Sequence, residues 1–455
     1  MTDIDVISPV DGSSLGKVPV NSKKEINGIV EKALSVEPLP QALRSEILLA
    51  AAQRVLENID DLSTTIHREQ GKSAEEAQLE VLYTSKLFKA TAAALSEYNG
   101  RVIESMLEPD KKRIIERYEP MGVVGIISPF NFPLLLPAYL IAPALAAGNS
   151  VVFKPSELSP FSGMKLVEIL NEIEVEDEFL GKAKLSDNTI NIVTGDSSTG
   201  KALVEHKDIS MVGFTGSVET GRDIIQSSTK EGEQPKKLLL ELGGNCPAVV
   251  FDDADLDRAA ELCAYGSFTY CGEVCISTQR IYVQEKIYDE FLKKLIAAKD
   301  EFKPGPIRTR EFLGRVEGFI DDAKKKGAKT YGGNSQGLTL EPTVIEMSHD
   351  MAIAKDEVFA PVVGVMRFKT EEEAVGLANS TRHGLSAAVF TRDLARGMRV
   401  AEKIKSGTVV INDTTQWFEP HVAFGGYKWS GLGREGGFHA IREFSRIKTI
   451  VLDIS

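Results

Sequence analysis

The chain has 455 residues, with 53 Lys plus Arg against 66 Asp plus Glu, a formal net charge of −13. Hydrophobic residues at 42% and charged residues at 26% exclude a disordered, collagenous or coiled-coil chain and leave a globular one of two or more domains. The negative balance argues against a nucleic-acid-binding or anionic-membrane surface, and four cysteines are too few for a disulfide scaffold.

The N-terminal stretch MTDIDVISPVDG has no basic segment followed by an apolar run, so no signal peptide is read and a cytoplasmic location is expected. From Lys23 to Tyr98 the pattern is mostly helical: ALRSEILLAAAQRVLENI (42–59) repeats apolar residues at three and four spacing, and Ser73 is placed to cap a second long helix with acids in its first turn. RVIESMLEPDKKRIIERYEP (101–120) reads as two extended runs joined by a polar turn at 108–111, a hairpin in need of a partner. Met121 to Phe153 carries no charge and is long enough to imitate a membrane span. Pro129, Pro133, Pro137 and Pro143, with Asn131 and Asn149, would leave polar groups unpaired in lipid, so the stretch is read as buried core.

From Met121 onward the rhythm changes to strand, loop, helix, strand. GVVGII, a helix closed by Gly148, SVVFK, a helix over 161–173, TINIVTG, a short helix, SMVGFTG, a helix from Ser217 and KKLLLELGG succeed one another. Such alternation predicts a parallel α/β sheet. A second series follows Gly244 with AVVF, DLDRAAELCAYGSF, RIYV and IYDEFLKKLIAAK, which fits a second domain. The final EFSRIKTIVLDI is a strand with no obvious local partner. The acidic runs DDADLD (252–257) and TEEEAV (370–375) fit acids opening helices better than a calcium loop.

Cys246, Cys263, Cys271 and Cys275 cluster within positions 246–275. None forms a CxxC pair or has a nearby histidine, so no metal is expected. They are either buried thiols or include one nucleophile. FTGSVETG (214–221) places glycines at a strand-to-helix turn, where backbone amides can meet a pyrophosphate or simply turn the chain. KPSE (154–157) puts a lysine and a carboxylate at a strand end, either to grip ribose hydroxyls or as a surface ion pair. ELGGN (241–245) gives a carboxylate two glycines of backbone freedom, which suits a general base and equally an ordinary surface acid.

Taken together these stretches resemble the aldehyde dehydrogenase superfamily. The matching segments run in order: PMGVVGIISPFNFPL, APALAAGNSVVFKPSE, INIVTG, FTGSVETG, ELGGNCP, FTYCGEVCISTQRIYV, DEVFAPVV, ANSTRHGLSAAVFT and AFGGYKWSGLGREG. The likeness extends from about residue 5 to the C-terminus and is closest to lactaldehyde and non-phosphorylating glyceraldehyde-type branches. It implies an α/β fold with two Rossmann-like parallel-sheet domains and a β oligomerisation arm. The implied division is residues 1–101 and 121–242 for a cofactor-binding domain, 243–428 for a catalytic domain, and 102–120 with 429–455 for oligomerisation into a homodimer or homotetramer.

The resemblance also implies roles. Cys275 aligns with the thiol that attacks the aldehyde, Asn131 with the oxyanion amide, and Glu241 with the base that activates water against the thioester. Lys154 and Glu157 match the adenosine-ribose position, Glu357 the nicotinamide-ribose carboxylate with Phe359 beside it, and Thr215, Gly216, Ser217 and Gly221 the turn near the pyrophosphate and nicotinamide. Glu157 favours NAD over NADP, since a carboxylate repels a 2′-phosphate, although relatives with Glu here accept both. Phe132, Leu136, Tyr139, Tyr265, Thr269, Val274, Trp417, Phe418 and Phe424 are the expected substrate tunnel. With no arginine among them, they favour a small neutral or hydroxylated aldehyde over a charged semialdehyde.

Several residues depart from the family pattern. Ala360 and Ala423 replace a Gly and a Pro, and Glu273 stands where Gln is usual. Cys271 lies four positions before Cys275, a spacing that permits a sulfur–sulfur contact if the segment is helical. Leu140 occupies a position where some relatives carry a Lys proposed for proton relay, which leaves Glu435 open as a relay residue. The segment 299–312 is shorter than in relatives. Two rival readings stand beside the hydrolytic one: a CoA-acylating aldehyde dehydrogenase, against which Glu241 weighs, and a non-catalytic structural or binding relative, against which the Asn131, Glu241 and Cys275 set weighs.

Overall fold

A computed structural model of the chain describes residues 3–229 and 234–455. The first two residues of the N-terminal stretch lie outside the described residues.

The architecture is α/β, built around two large sheets. In the first, the strands Lys237–Glu241, Met211–Thr215, Val123–Ile127, Ser150–Lys154 and Ile190–Ile192 lie side by side and parallel, with Gly431–Leu432 added antiparallel at the Lys237–Glu241 edge. Chain order reverses between Val123–Ile127 and Met211–Thr215, and open parallel sheets form their ligand crevice at such a point, outside the strands' C-terminal ends. The second sheet runs Thr330–Tyr331, Thr343–Glu346, Val362–Phe368, Thr278–Gln284, Cys246–Val250, Ser386–Phe390, Thr408–Ile411. Its central strands are buried along almost their whole length, as continuous Val/Ile/Ala runs require when helices cover both faces.

The charge-free stretch 121–153 is a strand, the helix Leu135–Ala147 and another strand. Twelve of that helix's residues are buried, and each large apolar side chain there contributes about 1.5–3 kcal/mol of transfer free energy. Gly148 closes the helix at φ +88°, donating to the carbonyls of Ala144 and Leu145. Asn149, costly in lipid, is fully engaged here. Its amide donates to the Ala144 and Phe444 carbonyls and its oxygen accepts from the Gly122 N–H. Among the described residues no helix is long and apolar enough to cross a membrane.

Local signals act as read. Ser73 and Glu76 form a reciprocal capping box at Ala74–Ala94, and Asp255 and Thr370 cap the helices that follow the two acidic runs. The terminal strand does have a partner: Ser445–Asp453 pairs antiparallel with Lys112–Pro120 over nine residues, and Arg101–Glu104 pairs on the other side. The partner lies more than 300 residues upstream, beyond the reach of local pattern reading. Ile447 and Val451, more than half exposed, lie on this terminal strand.

A hairpin of Glu174–Asp177 and Gly181–Lys184 interrupts the series between the helix Pro160–Asn171 and the strand Ile190–Ile192. Its strands are polar and give no β pattern. The turn closes through Asp177, whose carboxylate accepts the N–H groups of Phe179 and Leu180.

Candidate active site

A cavity of about 900 Å³ opens at the reversal point of the first sheet and reaches the second sheet's side. Lys154, Glu157, Thr215, Gly216, Ser217, Glu357 and Phe359 line it, together with Asn131, Glu241 and Cys275. Ten residues spread over more than 200 positions thus converge on one space. Gly221 is the exception among the expected cofactor residues. It lies behind the wall in the helix Val218–Ser227, where an added Cβ would press to 2.6 Å from Leu242.

The wall is built by strand ends. Lys154 ends Ser150–Lys154 and is buried; its ammonium is 3.4 Å from the Glu157 carboxylate, which is 40% exposed. Burial pulls the Lys154 ammonium below its ordinary value, and Glu157 partly restores it. Thr215 ends the next strand, and its hydroxyl is buried without a hydrogen-bond partner. Ser217 then caps the following helix by accepting from the Thr220 N–H. A buried orphan hydroxyl, a lysine–carboxylate pair and a helix N-terminus along one crevice fit the hydroxyls and phosphates of a dinucleotide.

Glu357 enters from the other side. Its carboxylate accepts the Gly244 N–H at 3.0 Å, and a side chain on Gly243 would collide with it. Burial raises its proton affinity to a pKa of about 7. Phe359 adopts φ +57° and meets Phe130 edge-on, while Phe130 stacks on Phe312 with ring centroids 5.4 Å apart.

Cys275 follows a strained turn. Tyr270, Cys271 and Gly272 all have positive φ, and for the two non-glycine residues that conformation costs roughly 1–2 kcal/mol each. Gly272 is required twice over, because a Cβ there would also collide with the Ala360 carbonyl. The turn removes the helical geometry that a Cys271–Cys275 contact needs. Cys271 Sγ instead donates to the Gly305 carbonyl at 3.3 Å, and all four cysteines are free thiols. Burial pushes the Cys275 thiol well above its ordinary value, and the carboxylates of Glu357, Glu241 and Glu435 add to the shift.

Glu241 ends Lys237–Glu241, and its carboxylate is buried with neither oxygen hydrogen-bonded. Its backbone carbonyl accepts from Gly216, which ties the base to the cofactor turn. Gly425 leaves room for the carboxylate; a Cβ there would stand 2.7 Å from Oε1. Burial raises Glu241 well above the carboxylate range, with Glu435 pushing further and Arg434 opposing. Asn131 is also buried, and its side-chain amide donates to the Glu273 carbonyl at 2.8 Å.

Of the expected tunnel residues only Leu136 lines this cavity. Val274 belongs to a buried cluster with Cys246, Ile276 and Leu385, against which Phe132, Phe424 and Cys275 pack. Phe418 meets Tyr83 edge-on at 5.1 Å, and the Thr269 hydroxyl donates to the Tyr265 carbonyl. Tyr265 and Trp417 are exposed at 41% and 37%. Tyr139 is buried within the helical core.

Several cavity residues escape the sequence reading, and one of them is charged and lies on the second sheet's side. Arg315, on the helix Arg310–Lys325, lines the cavity and donates to the Val358 carbonyl at 3.2 Å. A single arginine on an amphipathic helix carries no motif.

Residues 1–450 match the aldehyde dehydrogenase family. The chain is 34% identical over 477 residues to an aldehyde dehydrogenase of Agaricus bisporus, covering 100% of this chain and 92% of that one. It is 36% identical over 466 residues to a lactaldehyde dehydrogenase of Methanocaldococcus jannaschii, covering 99% and 97%. The crystal structure of a glyceraldehyde-3-phosphate dehydrogenase from the same archaeon, complexed with NADP, superposes with a TM-score of 0.92 at 34% identity, covering 100% and 99%.

Proposed function

The chain belongs to the aldehyde dehydrogenase family, and on that premise we propose that it oxidises a small neutral or hydroxylated aldehyde to the free acid through a covalent intermediate on Cys275. The observation that carries this reading is the convergence of Cys275, Glu241 and Asn131 on one cavity with the dinucleotide-type crevice. Bound NAD or NADP supplies the two-electron acceptor. Lys154 and Glu157 hold the adenosine ribose, Thr215, Gly216 and Ser217 face the pyrophosphate, and Glu357 and Phe359 place the nicotinamide end. Gly221 lets the helix Val218–Ser227 pack closely against Leu242, which lines the cavity.

Cys275 loses its thiol proton to solvent, and its sulfur attacks the aldehyde carbon as a thiolate. The developing oxyanion is met by the Asn131 amide and the Cys275 N–H. Once the adduct has been oxidised to a thioester, Glu241 takes a proton from water, and the acid leaves as the thiolate returns. A carboxylate kept dry and unpaired suits this deacylation. It supports hydrolysis over transfer to CoA, a reaction that needs no base.

The likeness to a lactaldehyde dehydrogenase and the apolar cluster of Val274 on which Phe132, Phe424 and Cys275 all pack support the substrate class. The two sheets support a division at residues 1–101 and 121–242, 243–428, and 102–120 with 429–455. The exposed apolar residues of Ser445–Asp453 support assembly into a homodimer or homotetramer through that strand. The test is a panel of short, hydroxylated, aromatic and phosphorylated aldehydes with NAD and NADP. Release of free acid without CoA by the wild type, and loss of aldehyde-dependent NAD(P)H formation in Cys275→Ala, are expected; wild-type turnover in that variant overturns the mechanism.

A further inference from the structure

Two departures from the family pattern, Glu273 and the shortened segment 299–312, meet beneath the catalytic loops. Glu273 is 1% exposed. One carboxylate oxygen accepts the Arg308 N–H at 3.0 Å, from the shortened segment, and the other accepts from Gln70 Nε2 at 3.2 Å. The Gln70 side-chain oxygen accepts the Lys72 N–H at 2.9 Å. The Lys72 ammonium, fully buried, lies 2.6 Å from the Glu80 carboxylate and 3.8 Å over the Phe132 ring, and donates to the Asn131 carbonyl at 2.9 Å. The second oxygen of Glu80 accepts the N–H groups of Leu134 and Leu135, which follow Asn131.

Asn131 is therefore gripped twice. Lys72 holds its backbone. The backbone carbonyl of Glu273 holds its side chain and, being only an acceptor, dictates that the amide nitrogen faces the loop bearing Cys275. One N–H of that amide is used in the grip and the other is left for an oxyanion. A Lys–Glu pair with no access to water is costly unless every hydrogen bond is made, and here the two residues spend those bonds on the Asn131–Leu135 segment.

We propose that Lys72 and Glu273 are positioning residues for the oxyanion amide, locking the Asn131 loop to the Cys275 loop. The proposal rests on the reading of Asn131 as the oxyanion residue. Donor and acceptor polarity along the chain of bonds makes it testable. In Glu273→Gln the new side-chain oxygen can still accept from the Arg308 N–H, but the new amide nitrogen then faces Gln70 Nε2, donor against donor. If Gln70 turns over to relieve this, its nitrogen faces the Lys72 N–H instead. The grip opens at one joint either way. Adding Gln70→Glu restores a complete set, since a carboxylate at position 70 accepts both from the new amide at position 273 and from the Lys72 N–H.

The experiment compares wild type, Glu273→Gln, the swap Gln70→Glu with Glu273→Gln, and Lys72→Met with Glu80→Gln, a pair that removes the buried ion pair as a unit. Crystal structures report the Asn131 amide, stopped-flow fluorescence reports the pre-steady-state NADH burst with the best aldehyde of the panel, and titration with NAD reports cofactor affinity. In Glu273→Gln the amide leaves the residue-273 carbonyl and the burst slows by about tenfold or more, as small misplacements at a reacting centre do. NAD affinity stays at the wild-type value, and the swap recovers most of the rate. The Lys72→Met, Glu80→Gln double variant slows the burst similarly. An unmoved amide with a wild-type burst in both Glu273→Gln and that double variant overturns the proposal, as does a swap no better than Glu273→Gln. If the wild type gives no burst with any aldehyde, the functional reading falls, and the position of the amide in the structures still decides this proposal.

Discussion

Glu435 raises the proton affinity of Glu241 across a buried pocket in which neither carboxylate finds a full set of hydrogen bonds. Glu435 is itself pushed up to about 8, chiefly by burial. Leu140, where some relatives place a lysine, is fully buried among apolar side chains and supplies no counter-charge. Two carboxyls so arranged cannot both ionise cheaply, so the pair retains a proton into the neutral range.

The sign of the resulting pH dependence follows from the base role of Glu241. Only its ionised form can take a proton from water, and its pKa is raised, so deacylation rises with pH. Removing the neighbouring negative charge with Glu435→Gln lowers the pKa of Glu241. The ascending limb of kcat against pH, measured where hydrolysis limits turnover, moves to lower pH. A limb that stays in place or moves upward shows that Glu435 does not act on the base.

Glu241→Gln separates the two half-reactions. Thioester formation depends on Cys275 and Asn131, so rapid mixing should still give a near-stoichiometric NADH burst. Steady turnover then falls by about 10²-fold or more, in line with loss of a positioned general base. An unchanged steady rate points to another base.

How much of this is legible in the sequence depends on how far each interaction reaches along the chain. The strand ends carrying Lys154, Thr215 and Glu241 stand beside glycines and serines whose local geometry leaves a pattern. Lys72 leaves none: its partners Glu80 and Asn131 lie 8 and 59 residues away, and only the folded chain shows the ammonium dry between them. Arg315 has a helix period and no motif. The strand Ser445–Asp453 reads as a strand without a partner, because its partner precedes the whole α/β series.

Arg315 gives a test of the crevice itself. Its guanidinium is held by the Val358 carbonyl at the cavity wall, and its charge favours the ionised forms of Glu219 and of Glu357, against the burial that raises Glu357. A cation at the wall of a cavity suited to a dinucleotide is placed to attract a phosphate. Arg315→Ala should raise the Kd for NAD by roughly tenfold, the value of one charge-assisted hydrogen bond, while the NADH burst at saturating NAD changes little. Unchanged affinity in a titration by fluorescence quenching removes Arg315 from the site.

Glu69 provides a stability test independent of activity. Its carboxylate accepts the Phe161 and Ser162 N–H groups, both at 2.8 Å, at the start of the helix Pro160–Asn171. Those donors and the helix dipole favour the ionised form, yet complete burial wins and lifts the pKa to about 7 from an ordinary 4.5. The folded protein therefore holds a proton that the unfolded chain has released. The stability linked to this group is intact below about pH 4.5, falls as pH rises towards 7, and is flat above. The lost share is on the order of 3 kcal/mol. Glu69→Gln cannot titrate, so its denaturation midpoint should fall less between pH 5 and pH 8 than that of the wild type at equal protein concentration. A parallel decline in the two proteins would mean that the helix terminus keeps Glu69 ionised despite its burial.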